Sequence, residues 1–223
     1  DAQESRGLGD VYKRQNLGDV LSAFAKVLIL AVVMTLVYLV VQYIIAGAIT
    51  GKNPFKALRN MMPAYFTALG TSSSAATIPI SVESTLKNGI SRPVANFVIP
   101  LCATIHLSGS MIKLTLYAFA IVYMANLDIS TSTGLGFIFL LGIMMIAAPG
   151  VPGGAVMVAA GLLADMMGFD DGMVALMIAA YIAIDSVGTA ANVTGDGAIA
   201  MILDKFVGNR EDATKEELTD PTA

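Results

Sequence analysis

Residues 148–154 read "APGVPGG", with two prolines and three glycines in seven positions. They sit inside an otherwise apolar run from Phe137 to Ala164. Proline removes a backbone donor and glycine loses more entropy on ordering than other residues, so the stretch does not continue a helix. The run is predicted to be two short helices meeting at a turn, a hairpin over 134–168. A second interruption lies upstream. Asn60 to Val82 carries no charge, yet "LGTSSSAATIP" (Leu69 to Pro79) breaks it with Gly70, four consecutive hydroxyl residues from Thr71 to Ser74, and Pro79. This predicts a first hairpin over 54–90.

Both hairpins lie in a chain built for lipid. Of its 223 residues 56% are hydrophobic and 13% charged, about half the charge of an average soluble domain. An all-α membrane protein with two re-entrant hairpins follows, since unpaired backbone at membrane depth survives only where protein or water covers it. The net charge of −4 argues against a nucleic-acid partner, which needs a basic surface. The single cysteine, Cys102, excludes an internal disulfide, and the single histidine, His106, excludes a multi-histidine metal site.

The remaining spans fall around the hairpins. A helix is expected over 21–50, because Val27 to Gly51 carries no charge and is long enough to cross a hydrocarbon core of about 30 Å. A broken helix over 93–125 is interrupted at "ATIHLSGS" (Ala103 to Ser110) and then carries Lys113. A last span covers 172–206. Together 16–206 make one transport domain, followed by a charged, disordered cytoplasmic tail over 207–223. Residues 1–15 read either as a translated adapter remnant, suggested by "GLGDVYKRQ", or as a polar linker. Lys52, Lys56, Arg59, Lys87 and Arg92 flank the first hairpin, whereas Leu114 to Asp204 contains no Lys or Arg. The first hairpin is therefore placed on the cytoplasmic side and the second on the outer side.

The last span holds the stretch "DSVGTAANVTGD" (Asp185 to Asp196). At about 100° per residue, offsets of 4, 7 and 11 stay within roughly 40°, so Asp185, Thr189, Asn192 and Asp196 form one polar stripe. An intramembrane carboxylate costs about 2.5–3.5 kcal/mol on insertion scales, which marks the stripe as functional. Two hairpins entering from opposite faces toward such a stripe is the layout of a secondary transporter.

The order "SSSAATIP", "ATIHLSGS", "GVPGG", "DSVGTAANVTGD" resembles the dicarboxylate/amino acid:cation symporters of the glutamate-transporter fold, over Leu21 to Phe206. The resemblance implies a C-terminal fragment whose upstream helices, including a trimerisation scaffold, are missing. The parent would be a multi-pass protein of the cytoplasmic (inner plasma) membrane, a homotrimer, working by an elevator movement. It implies substrate contacts at Ser73, Ser74 and Ser110, at the second tip through Gly150, Val151 and Gly153, and at Gly188, Thr189 and Asn192. Asp185 would take the substrate's amino group. Cation ligands would come from Cys102, Thr104, His106 and Leu107, with Asn192 and Asp196 as the sodium ligands. No cofactor is implied beyond a coupling sodium ion or proton.

Departures from the family pattern narrow this. The family's "NMDGT" reads "HLSGS" at His106 to Ser110, which removes a sodium-site carboxylate. The arginine of dicarboxylate members falls on Gly188, so a second substrate carboxylate would be buried unpaired. A neutral amino acid is expected, similar to the serine/threonine transporters of the family, with glycine leaving room for a larger side chain. Acidic substrates and sodium-independent exchange are the alternatives. Lys113, seven residues beyond His106 and on its face, reads as a snorkelling side chain, as half of a local salt bridge, or as a tethered cation opposite Asp196. "YIAID" and "TGD" faintly resemble intramembrane aspartyl proteases. Asp185 and Asp196 on one helix lie about 16 Å apart, too far to share a proton.

Overall fold

The computed structural model describes residues 17–219, which form helices and connecting turns with no strand among them. Residues 1–16 and the end of the tail, 220–223, lie outside the described residues. Helix α1 (Leu17–Thr50) is followed by the first hairpin: α2 (Pro54–Asn60), α3 (Met62–Thr71) and α4 (Ser74–Leu86). Then come α5 (Arg92–Ile105) and α6 (Ser108–Met124). The second hairpin is α7 (Thr131–Met144), a 3-10 turn (Met145–Ala147) and α8 (Gly154–Met167). Helices α9 (Asp171–Ala183) and α10 (Asp185–Thr219) close the chain.

Helix α1 shows why this assembly belongs in lipid. Ala31, Thr35, Leu39, Tyr43 and Ala46 recur at helical spacing and are buried against the protein. The opposite face exposes Ile29, Val33, Leu36, Val37, Val41 and Ile45. Such a continuous apolar face is stable next to lipid tails, not water. Among the described residues two stretches, Ser22–Thr50 and Arg92–Met124, are long and apolar enough to cross a membrane. A bent pair, Asp171–Ala183 and Asp185–Val207, qualifies as a third if it is one broken span.

The interior divides into two cores. One gathers α1, the first hairpin, α5 and α10 around Tyr43, Met61, Ile99 and Met201. The other gathers α6, the second hairpin and α9 around Leu114, Phe137, Leu163 and Met177. Between them lie four interruptions: Ser72–Ser73, His106–Leu107, Ala148–Gly153, and Ile184. The first tip turns through Ser72 in left-handed conformation, and Ser73 caps α4 by accepting from the Ala76 N–H. The second turns through Gly153 at φ +75°, where a side chain would be strained.

The fourth interruption differs from the single span expected over 172–206. Helix α9 ends at Ala183, and α10 leaves at 61° to it. No glycine or proline lies between Ile182 and Val187, so no residue type announces the bend. It is held by tertiary contacts: the Ile184 carbonyl accepts from Lys113 Nζ on α6 as well as from the Val187 N–H. The tail expected to be disordered from 207 also differs, its backbone remaining helical to Thr219. Its Ala, Lys, Glu and Leu residues are strong helix formers.

Helices α6 and α10 cross with their backbones in contact at Gly109 and Gly188. A Cβ on Gly109 would fall 2.6 Å from the Gly188 carbonyl oxygen. Gly109→Ala is therefore expected to destabilise the detergent-solubilised protein by about 1–3 kcal/mol. Gly161→Ala on α8, where an added Cβ meets nothing within 4 Å, is expected to be neutral or stabilising. Thermal unfolding of the two variants checks this; equal melting temperatures would contradict it.

Candidate functional site

Asp185 opens α10, where a carboxylate is favoured by the helix N-terminus. Its residue is only 4% exposed, so both oxygens must find donors inside the protein. Oδ1 accepts from Lys113 Nζ at 3.1 Å, and Oδ2 accepts from the Gly153 N–H at 2.7 Å. One carboxylate thus joins α6, the second hairpin tip and α10. Lys113 is itself fully buried; its ammonium also donates to the Ile184 carbonyl at 3.1 Å and lies 3.6 Å from the Tyr181 ring centroid. Carboxylate, carbonyl and aromatic face together make a built ammonium site.

The two tips meet above it. Ser73 Oγ donates to the Gly150 carbonyl at 3.0 Å, and the Ala75 N–H donates to the same oxygen at 3.3 Å. Gly150 is required there: a Cβ would fall 2.6 Å from the Ala103 carbonyl oxygen. Beneath the tips a pocket of about 10 Å³ is lined by Ser72, Ser74, Ser110, Val151, Asp185 and Thr189, with Leu107, Pro149, Gly150, Ala155 and Tyr181. That is room for about one water. An amino acid does not fit there in this arrangement.

Below Asp185 the stripe is buried as well. Asn192 Oδ1 accepts from the N–H groups of Gly109 at 2.7 Å and Ser110 at 3.2 Å, and its Nδ2 donates to Ser110 Oγ. This satisfies the first N–H groups of α6, which have no partner within their own helix. Asp196, 1% exposed, has its Oδ1 2.7 Å from His106 Nδ1. The hydroxyls of Ser108 and Tyr38 lie 2.9 and 3.3 Å from His106 Nε2. With the proton on Nδ1, the ring donates to Asp196 and Nε2 accepts from one of the two hydroxyls.

Of the residues singled out in the sequence, Ser74, Ser110, Gly150, Val151, Asp185 and Thr189 line this pocket. Gly153 reaches it through its N–H, while Ser73 turns to the cap and to the opposite tip. Three expectations change. Lys113 does not oppose Asp196; it pairs with Asp185, because His106 already occupies Asp196. Gly188 is packed against α6 rather than facing open space: a Cβ there would fall 3.2 Å from backbone atoms of Ser110. Thr104 is exposed, and its hydroxyl donates to the Leu101 carbonyl on its own helix.

A sodium ion would need several oxygens converging on one point, as hard cations do. Here the assigned oxygens are engaged elsewhere. The Cys102 carbonyl accepts from the His106 N–H, the Leu107 carbonyl from the Met111 N–H, and Asn192 Oδ1 from two N–H groups. In this arrangement Asn192 Oδ1 and Asp196 Oδ1 are taken up by protein donors, while each of the two carbonyls keeps a second lone pair. Sequence reasoning missed Tyr181, Tyr38 and the Ile184 carbonyl. Tyr181 lies four residues before Asp185, but the break at Ile184 separates them, so helical spacing carries no signal for it.

A family model described as the sodium:dicarboxylate symporter family matches residues 11–206. The chain is 30% identical over 179 residues to mouse neutral amino acid transporter B(0), covering 77% of this chain and 30% of that protein. It is 28% identical over 198 residues to rat excitatory amino acid transporter 1, covering 88% of this chain and 36% of that one. The human neutral amino acid transporter B(0) is 28% identical over 174 residues, 75% of this chain and 31% of its own length. The chain thus spans about a third of the length of these relatives.

The Asn192 bonds generate a prediction about stability. Asn192→Ala leaves two buried N–H groups and the Ser110 hydroxyl without their partner, at an expected cost of about 1–3 kcal/mol or more. A clear fall in melting temperature in detergent is the expected result. An unchanged melting temperature would show that these donors find other acceptors.

Proposed function

The chain belongs to the sodium:dicarboxylate symporter family, and we propose that it forms the substrate-holding part of a secondary transporter moving a neutral amino acid with a cation gradient. The observation that carries this reading is Asp185 under the second tip. Among the described residues its Oδ2 is held by the Gly153 N–H of the tip alone. Lifting the tip frees that oxygen at the floor of the pocket, where it accepts a substrate ammonium. Ser72, Ser74 and Ser110 supply hydroxyls around the same space for the α-carboxylate.

The neutral class follows from charge. Among the described residues no arginine lines the pocket, and the nearby lysine is already paired with Asp185. A second substrate carboxylate would be buried without a counter-charge, costing several kcal/mol. The similar mouse and human proteins are named for neutral amino acids and the rat protein for excitatory ones, which supports amino acids as the cargo. The first hairpin would face the cytoplasm and the second would be the outer gate, as the basic residues around the first suggest. The cytoplasmic membrane and a homotrimer, assembled through helices preceding this chain in the parent, complete the proposal.

The test is uptake of radiolabelled alanine and serine by the parent protein in proteoliposomes, with sodium and proton gradients imposed separately. Uptake driven by at least one gradient, and poorly competed by aspartate, is expected. Asp185→Asn is expected to lower substrate affinity at least about tenfold, since it removes a charge-assisted hydrogen bond. Uptake indifferent to both gradients would replace symport by facilitated diffusion or exchange. Strong competition by aspartate would overturn the neutral class.

A further inference from the structure

A gate that rests on a carboxylate raises a charge problem. When the second tip sits on Asp185, the carboxylate is enclosed with a pocket of about 10 Å³ beside it. In that geometry the pocket admits no amino acid, so no substrate ammonium compensates Asp185. An uncompensated carboxylate at this depth would hold the tips apart, because it stays closer to water when they are open. Lys113 removes the problem. Its side chain is fully buried, its ammonium is held by Asp185 Oδ1, the Ile184 carbonyl and the Tyr181 ring, and Asp185 is its one salt-bridge partner among the described residues.

We propose that Lys113 is a positioning residue for the gate: a built-in counter-charge that lets the second hairpin close on Asp185 when no substrate is bound, and so lets the unloaded transporter return across the membrane. This rests on the transporter reading above. The two oxygens divide the work. Lys113 stays on Oδ1, while Oδ2 is shared in turn between the Gly153 N–H and a substrate ammonium. With Lys113 present, Asp185, Lys113 and a zwitterionic substrate sum to zero charge, and so do Asp185 and Lys113 without it. With Lys113 neutral, the loaded site keeps a cation on Asp185 and the unloaded site has none.

Exchange and net flux separate these cases, since exchange uses only loaded crossings and net efflux needs unloaded returns. Lys113→Met and Lys113→Gln, the second keeping a hydrogen-bond donor, are placed in the parent protein in proteoliposomes loaded with labelled alanine. The unchanged protein is expected to perform both processes. Both variants are expected to retain exchange within about threefold while net efflux falls at least about tenfold, the penalty falling on the unloaded step. A transport-independent readout runs beside it: a cysteine at Val151, on the exposed second tip, reacts faster with a thiol reagent in the variants without substrate. Equal losses of exchange and net efflux would overturn the proposal and make Lys113 part of the substrate site or the fold. So would unchanged net efflux, or an unmodified protein that only exchanges. If the unchanged protein transports nothing, the transporter reading fails, and unaltered cysteine reactivity in the variants then overturns the gate role too. If neither single variant folds, Lys113→Met with Asp185→Asn decides: recovery of folding supports charge compensation, and continued failure overturns it in favour of packing.

Discussion

One buried carboxylate organises this molecule. Asp185 lies where three otherwise separate pieces must agree: the start of α10, the tip of the second hairpin, and α6 through Lys113. Taking a carboxylate and an ammonium out of water costs several kcal/mol each, and only their mutual attraction with further hydrogen bonds offsets it. The surroundings supply those bonds: the Gly153 N–H, the Ile184 carbonyl and the Tyr181 face. The bend between α9 and α10 belongs to the same constraint. A straight helix would not present the Ile184 carbonyl in this arrangement beside the first carboxylate of α10.

Around that centre the fold solves a second problem, broken backbone at membrane depth. Each interruption is matched with groups from another piece of chain. Asn192 meets the N–H groups at the start of α6, Ser73 and Ala75 meet the Gly150 carbonyl, and Asp185 meets Gly153. The two apolar cores hold the pieces, while the seam between them carries the polar groups. The contacts across the tips are few, so the second tip can leave without dismantling either core. That asymmetry between well-packed cores and a sparsely bonded tip is what a gate needs.

How much of this could be read in the sequence depended on whether a residue type marks the feature. "APGVPGG" and "TSSS" announce interruptions because proline, glycine and serine change what the backbone can do. The bend at Ile184 has no such mark, and its carbonyl is met by a lysine seventy-one positions away in the chain. Helical spacing placed Lys113 on the face of His106, but spacing within one helix does not name the partner on another. His106 took Asp196, and Lys113 took Asp185. Gly188 looked like space because glycine lacks a side chain; in three dimensions the backbone of α6 fills it. The stripe of Asp185, Thr189, Asn192 and Asp196 is uniformly buried, yet only its first two members line the pocket.

The central claim is that the ionised Asp185 carboxylate, held by Lys113, keeps the second tip closed. The direct measurement is the distance between spin labels on Val151 and on exposed Ala75 of the opposite tip, with Cys102 replaced by serine, in the parent protein without substrate. The account predicts a short, narrow distance distribution that broadens and lengthens in Asp185→Asn, where Lys113 is left without its counter-charge. It also predicts recovery of the short distance when Lys113→Met is added. A distribution unchanged by Asp185→Asn would contradict the account, because the tips would then be held together by something other than this carboxylate.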